Sequence, residues 1–281
     1  MRLPRLHQKI YNEPWFITPA GYRAVKAVFE AKLVRSKCKE GYEEDNDESP
    51  MSLLVNPREP MEIDPNGIAT IDICGTLGKG LSKLEKCCGT TDYEDIEDEI
   101  EVAVKANVRG IFFEIDSPGG QCTGNSEVAD LIQSLRGRIP MVAYTDDMMC
   151  SAAYNIGVSC DYVFASQSAT VGSIGTIIPF VDESGMWDGE GLKFDPITNA
   201  EGDLKATMMG PSIGSAAQRA YLQQYVQDAF EQFKGNVLRN RRVADDAMRG
   251  QAFMAPRALS MNLIDGILTE ESAYNKLLAL V

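Results

Sequence analysis

Three segments of this 281-residue chain carry residue types that can do chemistry. Cys150-Ser151-Ala152-Ala153-Tyr154 sets a serine among small residues where a helix is expected to begin. A nucleophilic Ser151 would there develop its oxyanion beside the next N–H, that of Ala152, and the positive end of the helix. Asp116-Ser117-Pro118-Gly119-Gly120 follows directly on an apolar run, and its two glycines let the backbone approach a ligand closely and turn N–H groups toward it. Val171-Gly172-Ser173-Ile174-Gly175 is followed later by Lys205. A lysine can act as general base when burial favours its neutral amine, and a neighbouring hydroxyl such as that of Ser173 can hold that amine in place. Each segment also has a plainer reading. An isolated serine at a helix start is more commonly an N-cap, Ser-Pro-Gly-Gly is more commonly a tight turn, and an arbitrary lysine is a solvated surface charge.

What the chain lacks narrows the choice. Its single histidine, His7, lies far in sequence from every candidate segment, which argues against a Ser-His-Asp triad or a Cys-His pair in the body of the protein. A histidine-rich metal site is excluded, and the seven cysteines (Cys38, Cys74, Cys87, Cys88, Cys122, Cys150, Cys160) show no metal-type spacing, so no metal is expected and reduced thiols are the plain reading. Neither a G-x-x-x-x-G-K-[ST] loop nor a G-x-G-x-x-G after a strand is present. With 27 Lys+Arg against 41 Asp+Glu, a net charge of −14, the surface is unsuited to general nucleic-acid binding. The basic stretch Met1–Tyr11 leads into no apolar segment before Glu13, so no secretory signal is expected. Tyr162–Val181 is uncharged throughout but interrupted by polar residues, Gly172, Gly175 and Pro179; it reads as buried strand and loop, not as a membrane span.

The elements that must position these residues can be read in outline. Residues 1–67 read as an appendage: Thr18 as N-cap and Pro19 as first helical residue predict a helix to about Leu33, followed by an acidic solvated loop over Lys37–Pro50. From 68 to 281 strands and helices alternate. Strands are expected at Ile68–Ile73, Gly110–Ile115, Met141–Tyr144 and Tyr162–Ala165. Helices are expected at Tyr93–Ala106, with Ile96, Ile100, Val102 and Val104 as apolar positions, at Ser126–Leu135, from near Ser151, at Ala216–Arg239 and at Ala255–Met261. This rhythm predicts an α/β fold with a mainly parallel sheet covered by helices.

Taken together, in this order and spacing, the segments resemble the signal peptide peptidase A (SppA) family of serine peptidases from about Ile68 to Leu268. The resemblance implies the ClpP/crotonase-like fold and a Ser-Lys dyad that needs no cofactor. Ser151 stands at the family's nucleophile position within a Ser-small-small-Tyr pattern, and Lys205 at the general-base position 54 residues on. Ser173 matches the serine that holds the lysine, Gly119 and Gly120 match the oxyanion-loop glycines, and Ala152 N–H is the second donor. The pattern departs from the family at Asp116, where Asn is common, and at Ala152-Ala153 in place of Gly-Gly. The acidic approach to Lys205 is a further departure, and Lys193 is a rival base in a more structural setting. The opening Ile10–Pro19 looks like the start of phage and prophage members, which act as head-maturation proteases on scaffold and capsid-assembly proteins. That implies a protein substrate, scaffold, portal or capsid partners, a homo-oligomer, no membrane span, and a place in the bacterial host cytoplasm or the phage prohead. Two alternatives stay open at this point: a cytoplasmic SppA-like peptide-degrading peptidase, and an inactive member of the fold that acts as a scaffold or binding subunit.

Overall fold

The short apolar runs bounded by turn residues become the strands of two sheet layers. The structure, a computed structural model, describes residues 14–19, 21–23, 25–26, 61–86 and 89–281. Strands β1 (Trp15–Ile17), β2 (Glu62–Ile63), β3 (Ile68–Cys74), β4 (Thr76–Gly78) and β5 (Thr90–Asp92) lead into helix α1 (Tyr93–Lys105). Strands β6 (Gly110–Asp116) and β7 (Gly119–Gln121) lead into α2 (Asn125–Leu135), and β8 (Met141–Thr145) and β9 (Met148–Cys150) into α3 (Ala152–Gly157). After β10 (Tyr162–Ala165) and β11 (Thr170–Gly172) come the long α4 (Ala216–Asn240), β12 (Ala252–Met254), α5 (Ala255–Ser260), β13 (Gly266–Ile267) and α6 (Glu270–Leu278).

The main sheet has the order β13-β10-β8-β6-β3-β2 and is parallel except for its β2 edge. Each of β3, β6, β8 and β10 hands on to a short strand, β4, β7, β9 or β11, that leaves the main sheet for a second layer. That layer consists of β1-β7-β4-β5 and β12-β11-β9, and a parallel bridge between Ser117 and Met149 joins the two parts. A repeating strand–strand–helix unit results. It satisfies the α/β expectation, a mainly parallel sheet covered by helices.

Alternation along the strands sorts side chains to two faces. Ile71, Ile73, Ile111, Phe113, Ile115, Met141 and Val163 enter the main core, whereas Ile68, Phe112, Val142, Tyr144 and Phe164 pack with Ala273 and Leu277 of α6. Each fully buried side chain of this size contributes ~1.5–3 kcal/mol. Helix α1 begins at Asp92, whose carboxylate caps Glu94 N at 3.2 Å, and buries Tyr93, Ile96, Ile100 and Ala103. Val102, read from the sequence as an apolar position of this helix, is 50% exposed, because the buried face runs through Ala103 instead.

The expected buried stretch Tyr162–Val181 holds only in its middle. Tyr162 is exposed at the edge of the strand, Val163–Ala165 and Val171–Ile174 are buried, and Ile177 and Val181 are exposed. Among the described residues no helix is long and apolar enough to cross a membrane. Thr18 caps as expected, with its Oγ1 accepting from Gly21 N at 3.0 Å and its carbonyl from Tyr22 N at 2.9 Å. Much of the helix expected to follow Thr18, together with His7, the acidic loop, Cys38, Cys87 and Cys88, lies outside the described residues.

Candidate active site

Ser151 sits at the sharp turn from β9 into α3. Its φ of 58° and ψ of −116° are unusual for a non-glycine residue, and its side chain makes no capping bond. The plain N-cap reading therefore does not describe it. Its N–H donates to Gly172 O at 2.7 Å and its carbonyl accepts from Asn155 N at 2.9 Å, so the backbone is held from both sides. The hydroxyl is fully buried and has no hydrogen-bond partner. A serine held on a strained strand-to-helix turn is the arrangement by which a nucleophile is presented clear of its own backbone.

The neighbouring Cys150 is no rival. Burial pushes its thiol up to about 12, and its Sγ points at Thr170 O, 3.6 Å away. Tyr154, the last residue of the Ser-small-small-Tyr pattern, anchors the buried helix by donating from its hydroxyl to Leu263 O at 2.8 Å.

Gly119 lies directly against this turn. A Cβ there would stand 2.8 Å from Ser151 Cβ, 3.1 Å from Ala152 N and 2.2 Å from Phe16 O, at a φ of +105°. Only glycine fits. Gly120 is equally confined by the neighbouring strand, since its Cβ would stand 2.1 Å from Leu77 O. The loop is tied down on its other side. Ser117 N donates to Met148 O at 2.7 Å, Cys150 N to Ser117 O at 3.1 Å, and Ser117 Oγ to Gly75 O at 2.6 Å while accepting from Gly119 N at 3.2 Å. Burial, then the negative charges of Asp147 and Asp146, push the carboxyl of Asp116 at the head of this loop above its ordinary range.

Ser173 stands one residue beyond Gly172, which faces Cys150 in the β9–β11 ladder, so Ser151 and Ser173 leave neighbouring strands side by side. Ser173 is buried, has a φ of 54°, and donates from its N–H to Gln251 O at 2.7 Å. Lys205 stands apart. It is exposed on a 3-10 turn, Asp203–Ala206, that rests on the start of α4, where Gln218 Nε2 donates to Asp203 O at 3.0 Å. Ser151, Ala152, Gly119, Gly120 and Ser173 are thus gathered at one place, and Lys205 makes no hydrogen bond to Ser151. Lys193, the rival base, is likewise exposed.

Sequence reasoning passes over the support beneath Ala152. Asn125 Nδ2 donates to Ala152 O at 2.9 Å, and its Oδ1 accepts from Asn155 Nδ2 at 2.7 Å. Asn236 Nδ2, from α4, donates in turn to Asn155 Oδ1 at 2.8 Å and Ser159 Oγ at 3.0 Å. A ladder of buried amides therefore links α2, α3 and α4 behind the turn. The one sequence signal for it is Asn155 itself, a lone amide in the otherwise small and apolar run Ala152–Val158. Among the described residues no group of three His, Cys, Asp or Glu is placed to hold a metal.

The model for Peptidase family S49 matches residues 133–281. The head-tail preconnector protein GP5 of Enterobacteria phage P21 is 36% identical over 121 residues, covering 43% of this chain and 24% of that protein. The capsid assembly protease C of Escherichia phage lambda is 27% identical over 201 residues, 68% of this chain and 46% of that protein. A putative signal peptide peptidase SppA of Enterococcus faecium is 27% identical over 175 residues, 60% of this chain and 50% of that protein. The chain thus spans half or less of the length of these relatives. Among solved structures, an enoyl-CoA hydratase/isomerase family member aligns with a TM-score of 0.39 at 17% identity over 80% of this chain and 76% of that one. The 1510-N membrane-bound stomatin-specific protease aligns at 0.42 with 15% identity over 75% and 82%. With a family model matched over more than half its length, the chain belongs to peptidase family S49.

Proposed function

We propose that the protein is a serine endopeptidase with Ser151 as nucleophile and Lys205 as general base. The observation that carries this reading is a buried, unpartnered serine hydroxyl on a positive-φ turn, packed against a glycine that no other residue can replace. The neutral amine of Lys205 takes the proton from Ser151 Oγ as the oxygen attacks a peptide carbonyl. The tetrahedral oxyanion is met by the N–H groups of Gly120 and Ala152. Collapse breaks the C–N bond, the leaving amine takes its proton from Lys205, and an acyl-enzyme remains. Water, deprotonated by the same amine, then frees Ser151. For this the exposed segment that bears Lys205 closes over Ser151, and Ser173, side by side with Ser151, holds the lysine in place. No cofactor takes part.

The names of the phage relatives, a head-tail preconnector protein and a capsid assembly protease, support capsid-assembly proteins as substrates and the prohead as a site of action. Scaffold proteins as further substrates, action in the host cytoplasm and work in a homo-oligomer are parts of the same proposal. The division into an appendage, 1–67, and a peptidase domain, 68–281, belongs to the same proposal.

The test is hydrolysis of fluorescent casein, with fluorophosphonate labelling of Ser151, in wild type, Ser151→Ala and Lys205→Ala. Removing either member of the dyad is expected to lower hydrolysis by roughly 10³-fold or more. Because the base acts on Ser151 Oγ, fluorophosphonate labelling is expected to fall in Lys205→Ala together with hydrolysis. Equal rates in all three proteins would show that the dyad is misassigned.

A further inference from the structure

An extended peptide binds most readily where a strand offers an unpaired edge. One edge of β7 is taken by β4, through the pairing of Leu77 with Gly120. The other edge starts at Gly119, against Ser151, and is the place where a peptide substrate would add. It is filled by the chain's own β1, which pairs antiparallel in the register Trp15–Gln121, Phe16–Gly120, Ile17–Gly119.

The phase of this ladder follows from the bonds at its ends. Thr18 N donates to Pro118 O at 2.9 Å, and Cys122 N to Pro14 O at 3.3 Å. Hydrogen-bonded pairs alternate along an antiparallel ladder, so Phe16 and Gly120 are the pair between them that exchanges both bonds. Gly120 N–H, the proposed oxyanion donor, therefore donates to Phe16 O. That oxygen is the same atom that approaches the Cβ position of Gly119 to 2.2 Å, with Ala152 N 3.1 Å and Ser151 Cβ 2.8 Å from that point. It lies a few ångström from both.

The opposite side of β1 is held just as a peptide in a slot would be. Trp15 N donates to Ile177 O at 2.8 Å and Ile177 N to Trp15 O at 3.0 Å. Backbone groups thus grip the strand from both sides, a mode that accepts any sequence. The side chain adds a choice. Phe16 is buried, with its ring 4.9 Å from that of Phe233 on α4.

We propose that β1 occupies, in cis, the binding site for an extended peptide, with Phe16 in the place of the residue whose carbonyl Ser151 attacks. The site then takes a peptide with a bulky apolar residue at that position, its preceding residues running along Gln121–Cys122 and its following ones along Gly119–Pro118. The inference rests on the peptidase reading above and adds to it both a substrate preference and a block on cleavage in trans.

The test uses the full chain and the rate at which a fluorophosphonate labels Ser151. Two variants loosen β1: Phe16→Ala, which empties the side-chain pocket, and Ile177→Pro, which removes one N–H at an exposed residue and leaves the core intact. Circular dichroism verifies the fold of each. Both variants are expected to label about tenfold faster than wild type, the effect of losing roughly 1.4 kcal/mol of hold on the strand. A synthetic peptide with the sequence of residues 12–20 is expected to return Phe16→Ala to the wild-type rate, and the same peptide carrying Phe16→Asp is not. A wild-type chain that cuts itself after Phe16, and stays whole as Ser151→Ala, supports the same placement. Labelling that is unchanged or slower in the folded variants, or that ignores the peptide, overturns the inference and leaves the peptidase reading intact. Absence of labelling at Ser151 in every chain overturns the peptidase reading first and this one with it.

Discussion

Ser151 carries two costs that packing alone does not repay. A non-glycine residue at a positive φ costs on the order of 1–3 kcal/mol. A buried hydroxyl with no partner costs on the order of 1–3 kcal/mol more. Both fall on one residue, and the bonds around it, from Gly172 O and Asn155 N, hold it there. Strain kept at a single polar atom is what an activated nucleophile requires and what a structural serine would shed. Glycine relieves both costs at once, offset in part by its greater freedom in the unfolded chain, ~0.5–1 kcal/mol. Ser151→Gly is therefore expected to raise stability by about 1 kcal/mol while abolishing fluorophosphonate labelling. Urea denaturation reads the first effect as an upward shift in midpoint at constant slope; a downward shift would remove strain from the case for Ser151.

At the scale of elements, the loop ahead of α1 depends on one carboxylate. Asp92 is buried and accepts from Gly80 N at 3.1 Å, Leu81 N at 2.6 Å and Glu94 N at 3.2 Å, with Lys86 Nζ at 3.7 Å. It caps a helix and pins the loop that leaves β4, which itself backs the glycine strand β7. Asp92→Ala leaves these N–H groups without their acceptor and is expected to cost about 2–4 kcal/mol, more than a helix cap alone. Asp92→Asn, which keeps one acceptor oxygen, is expected to lose roughly half as much. Equal losses, measured by thermal or urea unfolding, would mean that the negative charge and not the acceptor geometry holds the loop.

The same scale shows what a sequence can and cannot disclose. Strands such as Gly110–Asp116 and Tyr162–Ala165 are legible because short apolar runs end in turn residues, and the start of α3 is legible because small residues follow Ser151. The serine and the two glycines of the site are legible for the same local reason. Asn236 is not. It lies in a helix of mostly polar residues, and its partners Asn155 and Ser159 are 81 and 77 residues away. Strand β1 is missed because three apolar residues show no period, and only the distant β7 gives them a partner. Val102 is misread because Ala103, a weak apolar signal, takes the buried position that the larger residue suggests.

At the scale of the whole molecule, the segment that bears Lys205 is unfinished. Single exposed apolar residues are ordinary, but Val181, Met186, Leu192, Phe194, Ile197 and Met209 are all exposed within one stretch, Ile197 at 98%. The first half of α4, which follows, buries no residue, although Leu222 and Val226 continue the stripe that runs through Ala229 and Phe230, both packed against the core, to the buried Phe233 and Val237. If the chain works as a homo-oligomer, as proposed above, association would cover this surface and bring the segment with Lys205 toward Ser151. Specific activity is then expected to rise with protein concentration over the range in which light scattering shows assembly. With a net charge of −14 per chain, added salt screens the repulsion between copies, so moderate ionic strength is expected to strengthen assembly. Ile197→Asp combined with Met209→Asp places new charges on the exposed apolar residues without touching the core or the dyad. That variant is expected to remain monomeric, to keep its circular dichroism spectrum, and to lose activity at least tenfold at concentrations where wild type is assembled. A monomeric variant with full activity would show that the lysine-bearing segment closes within a single chain and that association serves another purpose.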